Sequence, residues 1–286
     1  MTAPQVLLTG ATGFVGRHVR AALEQRGIEP VLWSRAAPDS AGRWHAFDLA
    51  AADADATVAL YRRCGAPPLA IHCAWGGLPN YRSLHHFEQE RLHQYRFVKA
   101  LVQAGLQQLL VTGTCYEYGL RCGALHEGLD PQPATAYGYA KDALRRELQL
   151  LAAQQPFALT WARLFYLWGE HQAPQALWPQ LQAAAARGDA EFPMSGGEQL
   201  RDYLPAAEVA RLVVALALGA PDAGIVNVCA GAPTSVRRLV EGWIAERGWA
   251  IRPALGRMPY PAHEPFAFWG DRAKLDRCLP TPATES

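Results

Sequence analysis

The sequence lacks any sizeable net charge. Lysine and arginine number 27 against 26 aspartates and glutamates, a formal balance of +1. That argues against a general binder of nucleic acid or of an anionic membrane surface, since either needs a basic excess. Long apolar runs are missing too. None approaches the ~20 residues that a bilayer-spanning helix requires. The opening Met1-Thr-Ala-Pro-Gln5 has no basic segment leading into an apolar one, so no signal peptide is expected. The six cysteines include no Cys-x-x-Cys pair. They are read as reduced, and the protein as cytoplasmic. There is no internal repeat and no low-complexity linker, and no metal site is expected.

What is present is a chain of 286 residues, half of them hydrophobic, enough for a sizeable core. Gln5-Val-Leu-Leu-Thr9 is a short apolar run, read as a buried strand. Gly10-Ala-Thr-Gly13-Phe-Val-Gly16 follows at once, and a helical pattern then runs to Gly27, expected as its C-cap. Pro30–Ser34 is the next strand. Glycines at a strand-to-helix turn let backbone N–H groups approach a pyrophosphate. Further strands are expected at 45–49, 69–74, 109–112, 157–166 and 225–229. Helices are expected at roughly 84–104, 206–218 and 236–248, with loose Pro/Gly-rich chain from Gly169 to Gly197. Cys73 and Cys115 fall in or beside such strands as small hydrophobes, and His72 reads as a satisfied core histidine. The alternation predicts an α/β fold, a doubly wound parallel sheet of Rossmann type. Residues 1–165 would bind the dinucleotide, with a return to that domain around 205–220. Residues 166–286 would mainly form a smaller C-terminal substrate-binding domain.

Two local patterns carry chemistry. In Tyr137-Gly-Tyr-Ala-Lys141 the outer residues are four apart, on one helix face. An ammonium there would lower the phenol pKa from ~10 toward the working range. Such a pair can exchange a proton with a carbonyl oxygen or an alcohol. At the end of the second strand stand Trp33-Ser34-Arg35, with no acid until Asp39. A carboxylate there would receive a ribose 2′-hydroxyl; an arginine accommodates a 2′-phosphate, so NADP(H) is expected over NAD(H). Asp48 would accept from the adenine amino group or cap the following helix.

Together these stretches resemble the extended short-chain dehydrogenase/reductase family of nucleotide-sugar epimerases, dehydratases and 4-ketoreductases. The likeness rests on Gly10, Gly13 and Gly16; on Tyr137 and Lys141; on Thr114 five residues before Gly119 of Tyr118-Gly119; and on Arg201 in Arg201-Asp-Tyr203. It implies Thr114, Tyr137 and Lys141 as catalytic groups. It implies a cofactor bed of Gly10, Thr12, Gly13, Phe14, Val15, Gly16, Ser34, Arg35, Asp48, Leu49, Cys73, Ala74, Trp75 and Leu164, shared with Tyr137 and Lys141. Cys115, Tyr116, Tyr166 and Arg201 would join Thr114 on the substrate side, Arg201 pairing with a diphosphate.

The departures matter as much. Sugar 4,6-dehydratases carry Asp-Glu after the catalytic threonine; here Cys115 and Tyr116 stand there, so the groups for water elimination are missing. What remains is reduction of a ketone, and the 4-ketoreductase branch is the nearest likeness. An NDP-sugar epimerase with tightly bound NAD(P) and a non-catalytic NADP-binding regulator are the competing readings. The helix pair around 84–104 and Tyr137, with Leu92, Phe97, Leu144, Leu148 and Leu151, is expected to form a homodimer interface.

Overall fold

The computed structural model describes residues 4–35, 43–260 and 264–279; Asp39 lies outside them. The chain begins with β1 (Val6–Thr9), α1 (Phe14–Glu24), β2 (Val31–Ser34), β3 (Trp44–Ala46), α2 (Ala54–Arg63) and β4 (Leu69–His72). A π turn, His86–Glu90, leads into α3 (Arg91–Gln103) and β5 (Gln108–Thr114). A 3-10 turn, Cys115–Tyr118, precedes β6 (Gly123–Leu125), α4 (Ala136–Gln154), β7 (Ala158–Leu164) and β8 (Tyr166–Trp168). Then come α5 (Leu177–Ala186), β9 (Glu191–Pro193), β10 (Leu200–Arg201), β11 (Tyr203–Pro205), α6 (Ala206–Gly219) and β12 (Gly224–Val228). The chain closes with β13 (Thr234–Ser235), α7 (Val236–Arg247), β14 (Arg252–Ala254), β15 (Phe268–Gly270) and α8 (Ala273–Cys278).

Seven strands form one parallel sheet in the order β12-β7-β5-β4-β1-β2-β3. The order reverses between β1 and β4, the crevice where ligands of open α/β sheets bind. Successive strand residues point to opposite faces, and both faces are covered. Leu8, Ile71 and Leu110 pack with Val19, Leu23 and Val213 on one side. Leu7, Leu109 and Val111 pack with Phe97, Leu101, Leu144 and Leu148 on the other. This is why the strands read as continuous apolar runs. A separate core of Trp178, Leu181, Phe192, Val240 and Trp243 holds α5 and α7 together.

Several expectations need correcting. The loose Gly169–Gly197 stretch contains α5; Pro179 sits in its first turn, where proline is tolerated. Gly27 lies beyond α1, whose C-cap is Gln25; Gly27 takes φ 71° in the turn that follows. The third strand begins and ends a residue or more earlier than read. Phe97, Leu144, Leu148 and Leu151 are buried in this chain's own core, so they cannot face a second subunit. Leu92 is exposed, as are Tyr139 and Leu150 of α4.

Candidate active site

Because the sheet strands are parallel, their carboxyl ends share one edge, and the expected residues meet there. Gly10–Gly16 follow β1, Ser34-Arg35 end β2, Asp48-Leu49 follow β3, and Cys73-Ala74-Trp75 follow β4. Thr114 ends β5 and Leu164 ends β7. Gly10 has φ 71°, and a Cβ on it would stand 2.6 Å from the Ala74 nitrogen, so only glycine lets the first loop lie against the end of β4. Gly13 caps α1 with no side-chain bond, and no acid occupies the first turn. The leading amides of α1, from Phe14 onward, have no partner within the helix. With Gly13 exposed, they form a bed suited to a pyrophosphate. Thr12 gives its carbonyl to Arg17 Nε at 2.8 Å, which braces the loop. Arg35 is exposed beyond the buried Ser34. Asp48 accepts from Ala50 N at 3.0 Å; the cap of α2 is Asp53, which accepts from Ala56 N at 2.8 Å. Asp48 therefore closes its own turn and does not cap the helix.

Helix α4 presents Tyr137 and Lys141. Thr135 caps it by accepting from Gly138 N at 3.1 Å. A Cβ on Gly138 would stand 2.5 Å from the Tyr116 carbonyl, so glycine allows α4 to approach the turn after β5. That approach brings the Tyr137 phenol, 8 % exposed, into a hydrogen bond with Thr114. Burial, with help from Tyr81 and Glu117, pushes the phenol above its usual range, and the Thr114 bond opposes this only in part. The expected lowering by Lys141 is not seen. The lysine stem reaches past the phenol: Nζ donates to the Thr112 carbonyl at 2.8 Å and lies 4.0 Å from the centre of the Trp75 ring. It is 5.9 Å from the Tyr137 ring centre. Burial lowers the amine from 10.5 to about 8.

Behind Thr114 lies a network that spacing did not reveal. Glu117, fully buried, accepts from Thr114 N at 2.9 Å, Trp161 Nε1 at 2.9 Å and Arg163 Nε at 2.7 Å. The Arg163 guanidinium is also fully buried and lies 4.4 Å from the Tyr118 ring centre. Thr114-x-x-Glu117 was a visible capping-box pattern, but nothing local joined it to Arg163. A second chain fixes the β4 loop. Thr9 Oγ1 donates to His72 Nδ1 at 2.6 Å, and His72 Nε2 donates to Gln94 Oε1 at 2.5 Å. Gln94 Nε2 and Gly76 N both donate to Glu90 Oε1 at 2.6 Å. His72 is thus a satisfied neutral core histidine. His86 accepts from Trp75 Nε1 at 3.1 Å, and its ring centre is 5.4 Å from that of Tyr137.

Beside Tyr137 the structure gathers Tyr116, Tyr166 and Arg201, the residues expected on the substrate side, together with Tyr81, Tyr203 and Glu264. Tyr81 lies 5.0 Å from the Tyr116 ring and 5.6 Å from the Tyr137 ring. Tyr116 Oη lies 3.4 Å from Tyr166 Oη and donates to Glu264 Oε1 at 3.2 Å. Arg201 is 2 % exposed and donates to the Leu200 and Phe266 carbonyls at 2.9 and 3.0 Å and to Glu264 Oε2 at 3.0 Å. Cys115 is buried with its thiol pushed up by desolvation, a filler and not a nucleophile. Among the described residues no helix is long and apolar enough to cross a membrane.

The protein-family model described as "NAD dependent epimerase/dehydratase family" matches residues 6–229. The chain is 27% identical over 271 residues to a dTDP-6-deoxy-L-talose 4-dehydrogenase (NAD(+)) of Aggregatibacter actinomycetemcomitans, covering 93% of this chain and 98% of that protein. It is 28% identical over 263 residues to a dTDP-6-deoxy-L-talose 4-dehydrogenase (NAD(P)(+)) of Kitasatospora kifunensis, covering 87% and 82%. Among solved structures, MoeE5 in complex with UDP-glucuronic acid and NAD superposes with TM-score 0.81 at 27% identity over 96% of this chain and 92% of that one.

Proposed function

The chain belongs to the NAD dependent epimerase/dehydratase family, and from that premise we propose that it is an NADPH-dependent reductase of an NDP-4-keto-6-deoxyhexose. One observation carries the reading. Tyr137 is a phenol held protonated and bonded to Thr114, while the two positions after Thr114 hold no acid or base for elimination. Such a site can pass a proton to a forming alkoxide, and it lacks the side chains that eliminating water would need. The names of the two relatives support the choice of reaction: oxidation at C4 of a 6-deoxyhexose, run backwards, is reduction of the 4-keto sugar.

When bound, the nicotinamide supplies the hydride to C4. The chain's own residues do the rest. Thr114 and Tyr137 converge on the carbonyl oxygen, and the Tyr137 proton passes to it as it becomes a hydroxyl. Lys141, on the same helix face with Nζ reaching past the phenol, offers donors to the ribose hydroxyls of the cofactor. The glycine loop and the open end of α1 hold the pyrophosphate, and Arg35 pairs with a 2′-phosphate. Residues after 165 supply most of the sugar side through Tyr166, Tyr203 and Arg201.

Incubation with NDP-4-keto-6-deoxyhexoses and NADPH tests the reading. Stoichiometric loss of NADPH absorbance supports it. An epimerase would interconvert the sugar with no net loss, and an idle regulator would do neither. We also propose a homodimer through the exposed α3 and α4 faces carrying Leu92, Tyr139 and Leu150; a monomer mass by light scattering at micromolar concentration would refute it.

A further inference from the structure

Lys141 buries an amine with little to offset its charge. The residue is 2 % exposed. Among the described residues it forms no ion pair, and its one hydrogen bond goes to the Thr112 carbonyl at 2.8 Å. An ammonium carries three donors, and burying it is costly unless something answers the charge. What stands around Nζ is aromatic. The Trp75 ring centre lies 4.0 Å away, against 5.9 Å for Tyr137 and 6.0 Å for Trp161. The indole is itself held. Trp75 Nε1 donates to His86 Nδ1 at 3.1 Å, and His86 Nε2 donates to the Asn80 carbonyl at 2.8 Å. His86 is fully buried and burial keeps it neutral, so Nδ1 stays an acceptor. The other titratable groups acting on Lys141 are Glu117, Cys73, Glu90 and His72, with Tyr137 on its own helix. Burial holds the Cys73 thiol up at about 12 and His72 down at about 4, and Tyr137 is held protonated, so these are neutral. The two carboxylates are already committed. Glu90 accepts from Gly76 N and Gln94, and Glu117 from Thr114 N, Trp161 and Arg163.

We propose that Trp75 is the positioning residue of Lys141: the face of its indole holds the ammonium charged where water is excluded, and His86 holds the indole in place. A ring answers the charge without taking an N–H, which leaves two donors of Nζ for ligand hydroxyls. The proposal therefore rests on the cofactor role given to Lys141 above. Burial has already brought the amine down to about 8, so losing the ring would empty it of its proton inside the neutral range.

The lysines of the chain are Lys99, Lys141 and Lys274, so isotope labelling of lysine Cε gives few signals and NMR can follow each through a pH titration. In the wild type the Lys141 Hε protons should be shifted upfield by the indole ring current. In Trp75→Leu that shift should vanish and the midpoint should fall by about one pH unit. Trp75→Phe also shortens the ring but keeps a π face, and its midpoint should fall by less than half as much. Should Trp75→Leu fail to fold, wild-type protein made with fluorotryptophan keeps the shape and weakens the rings; the Lys141 midpoint should fall there, while those of Lys99 and Lys274 stay. Calorimetry with NADPH and with NADH should follow the lysine: the pH above which affinity drops should lie about one unit lower in Trp75→Leu, with Trp75→Phe between. None of these readouts needs turnover, so a failed reductase reading leaves them standing. An unchanged midpoint in Trp75→Leu or in the fluorinated protein would overturn the proposal. Equal falls in the leucine and phenylalanine variants would do the same, leaving Trp75 a packing residue. A midpoint that moves while affinity for both cofactors keeps its wild-type pH dependence would also refute it.

Discussion

Glu117→Gln is the change that most sharply separates a positioned threonine from one merely nearby. Glutamine has the same shape and can still accept from Thr114 N and Trp161 Nε1, the two bonds that Oε1 receives now. It cannot serve Arg163. An amide N–H would face the Arg163 Nε–H in place of the oxygen now 2.7 Å away. A fully buried guanidinium would then be left with Asp142 at 4.0 Å and the Tyr118 ring as its nearest support. Breaking one partner of a buried pair costs about 3–5 kcal/mol. The remaining support argues for the lower end, about 3 kcal/mol, or a fall in Tm of roughly 6–12 °C for a chain of this size. Calorimetric melting of Glu117→Gln, Arg163→Met and the double variant measures it. The double variant should be less destabilised than the sum of the two by at least about 1 kcal/mol, since it strands no charge. Turnover should fall with Glu117→Gln beyond any loss of folded protein, because the side chain that accepts from Thr114 N is no longer anchored by Arg163. Additive effects, or a Tm within about 2 °C of wild type, would refute the reasoning.

Tyr137→Phe keeps the ring and loses only the hydroxyl. Turnover should drop by about 10²–10⁴ with cofactor affinity within two-fold, and a near-normal kcat would remove Tyr137 from the chemistry. Arg35→Ala should weaken NADPH in kcat/KM by about ten-fold and leave NADH nearly unchanged; Arg43, its side chain exposed and drawn toward Glu24 and Glu29 at 3.7 and 3.9 Å, compensates only in part. Equal loss for both cofactors would place Arg35 elsewhere. Burial lowers the His72 pKa from 6.5 to about 4, so between those values the unfolded chain binds the extra proton and the folded one does not. That contribution is complete above pH 6.5 and lost as pH falls toward 4, roughly 3 kcal/mol in all. Denaturant midpoints of wild type and His72→Gln across this window should diverge at high pH and converge at low pH; parallel curves would contradict it.

The elements that could be read from the sequence were those whose signal is local. β1 and its glycine loop declare themselves by an apolar run followed by glycines, and Tyr137 and Lys141 by helical spacing. Parallel pairing then carries Ser34, Cys73, Thr114 and Leu164 to one edge without further information. What could not be read joins distant residues. Glu117 meets Arg163 across 46 positions, and Arg201 meets Glu264 across 63; no period or spacing encodes such a pair. Helix α5 was hidden because Pro179 looks like a breaker unless it is known to sit in a first turn. Lys141 was misjudged for a different reason: spacing fixes where its Cβ points, but not where a four-carbon stem ends.

The central claim is net reduction at C4 with the proton from Tyr137. The most direct test supplies NADPH carrying deuterium at the transferred position of its nicotinamide, together with an NDP-4-keto-6-deoxyhexose, and reads the sugar product by NMR. The account predicts one deuterium at C4 of a new alcohol for each NADPH consumed, and none with Tyr137→Phe on the same timescale. An unlabelled product epimerised without loss of NADPH, or a deuterium at any other carbon, would contradict it.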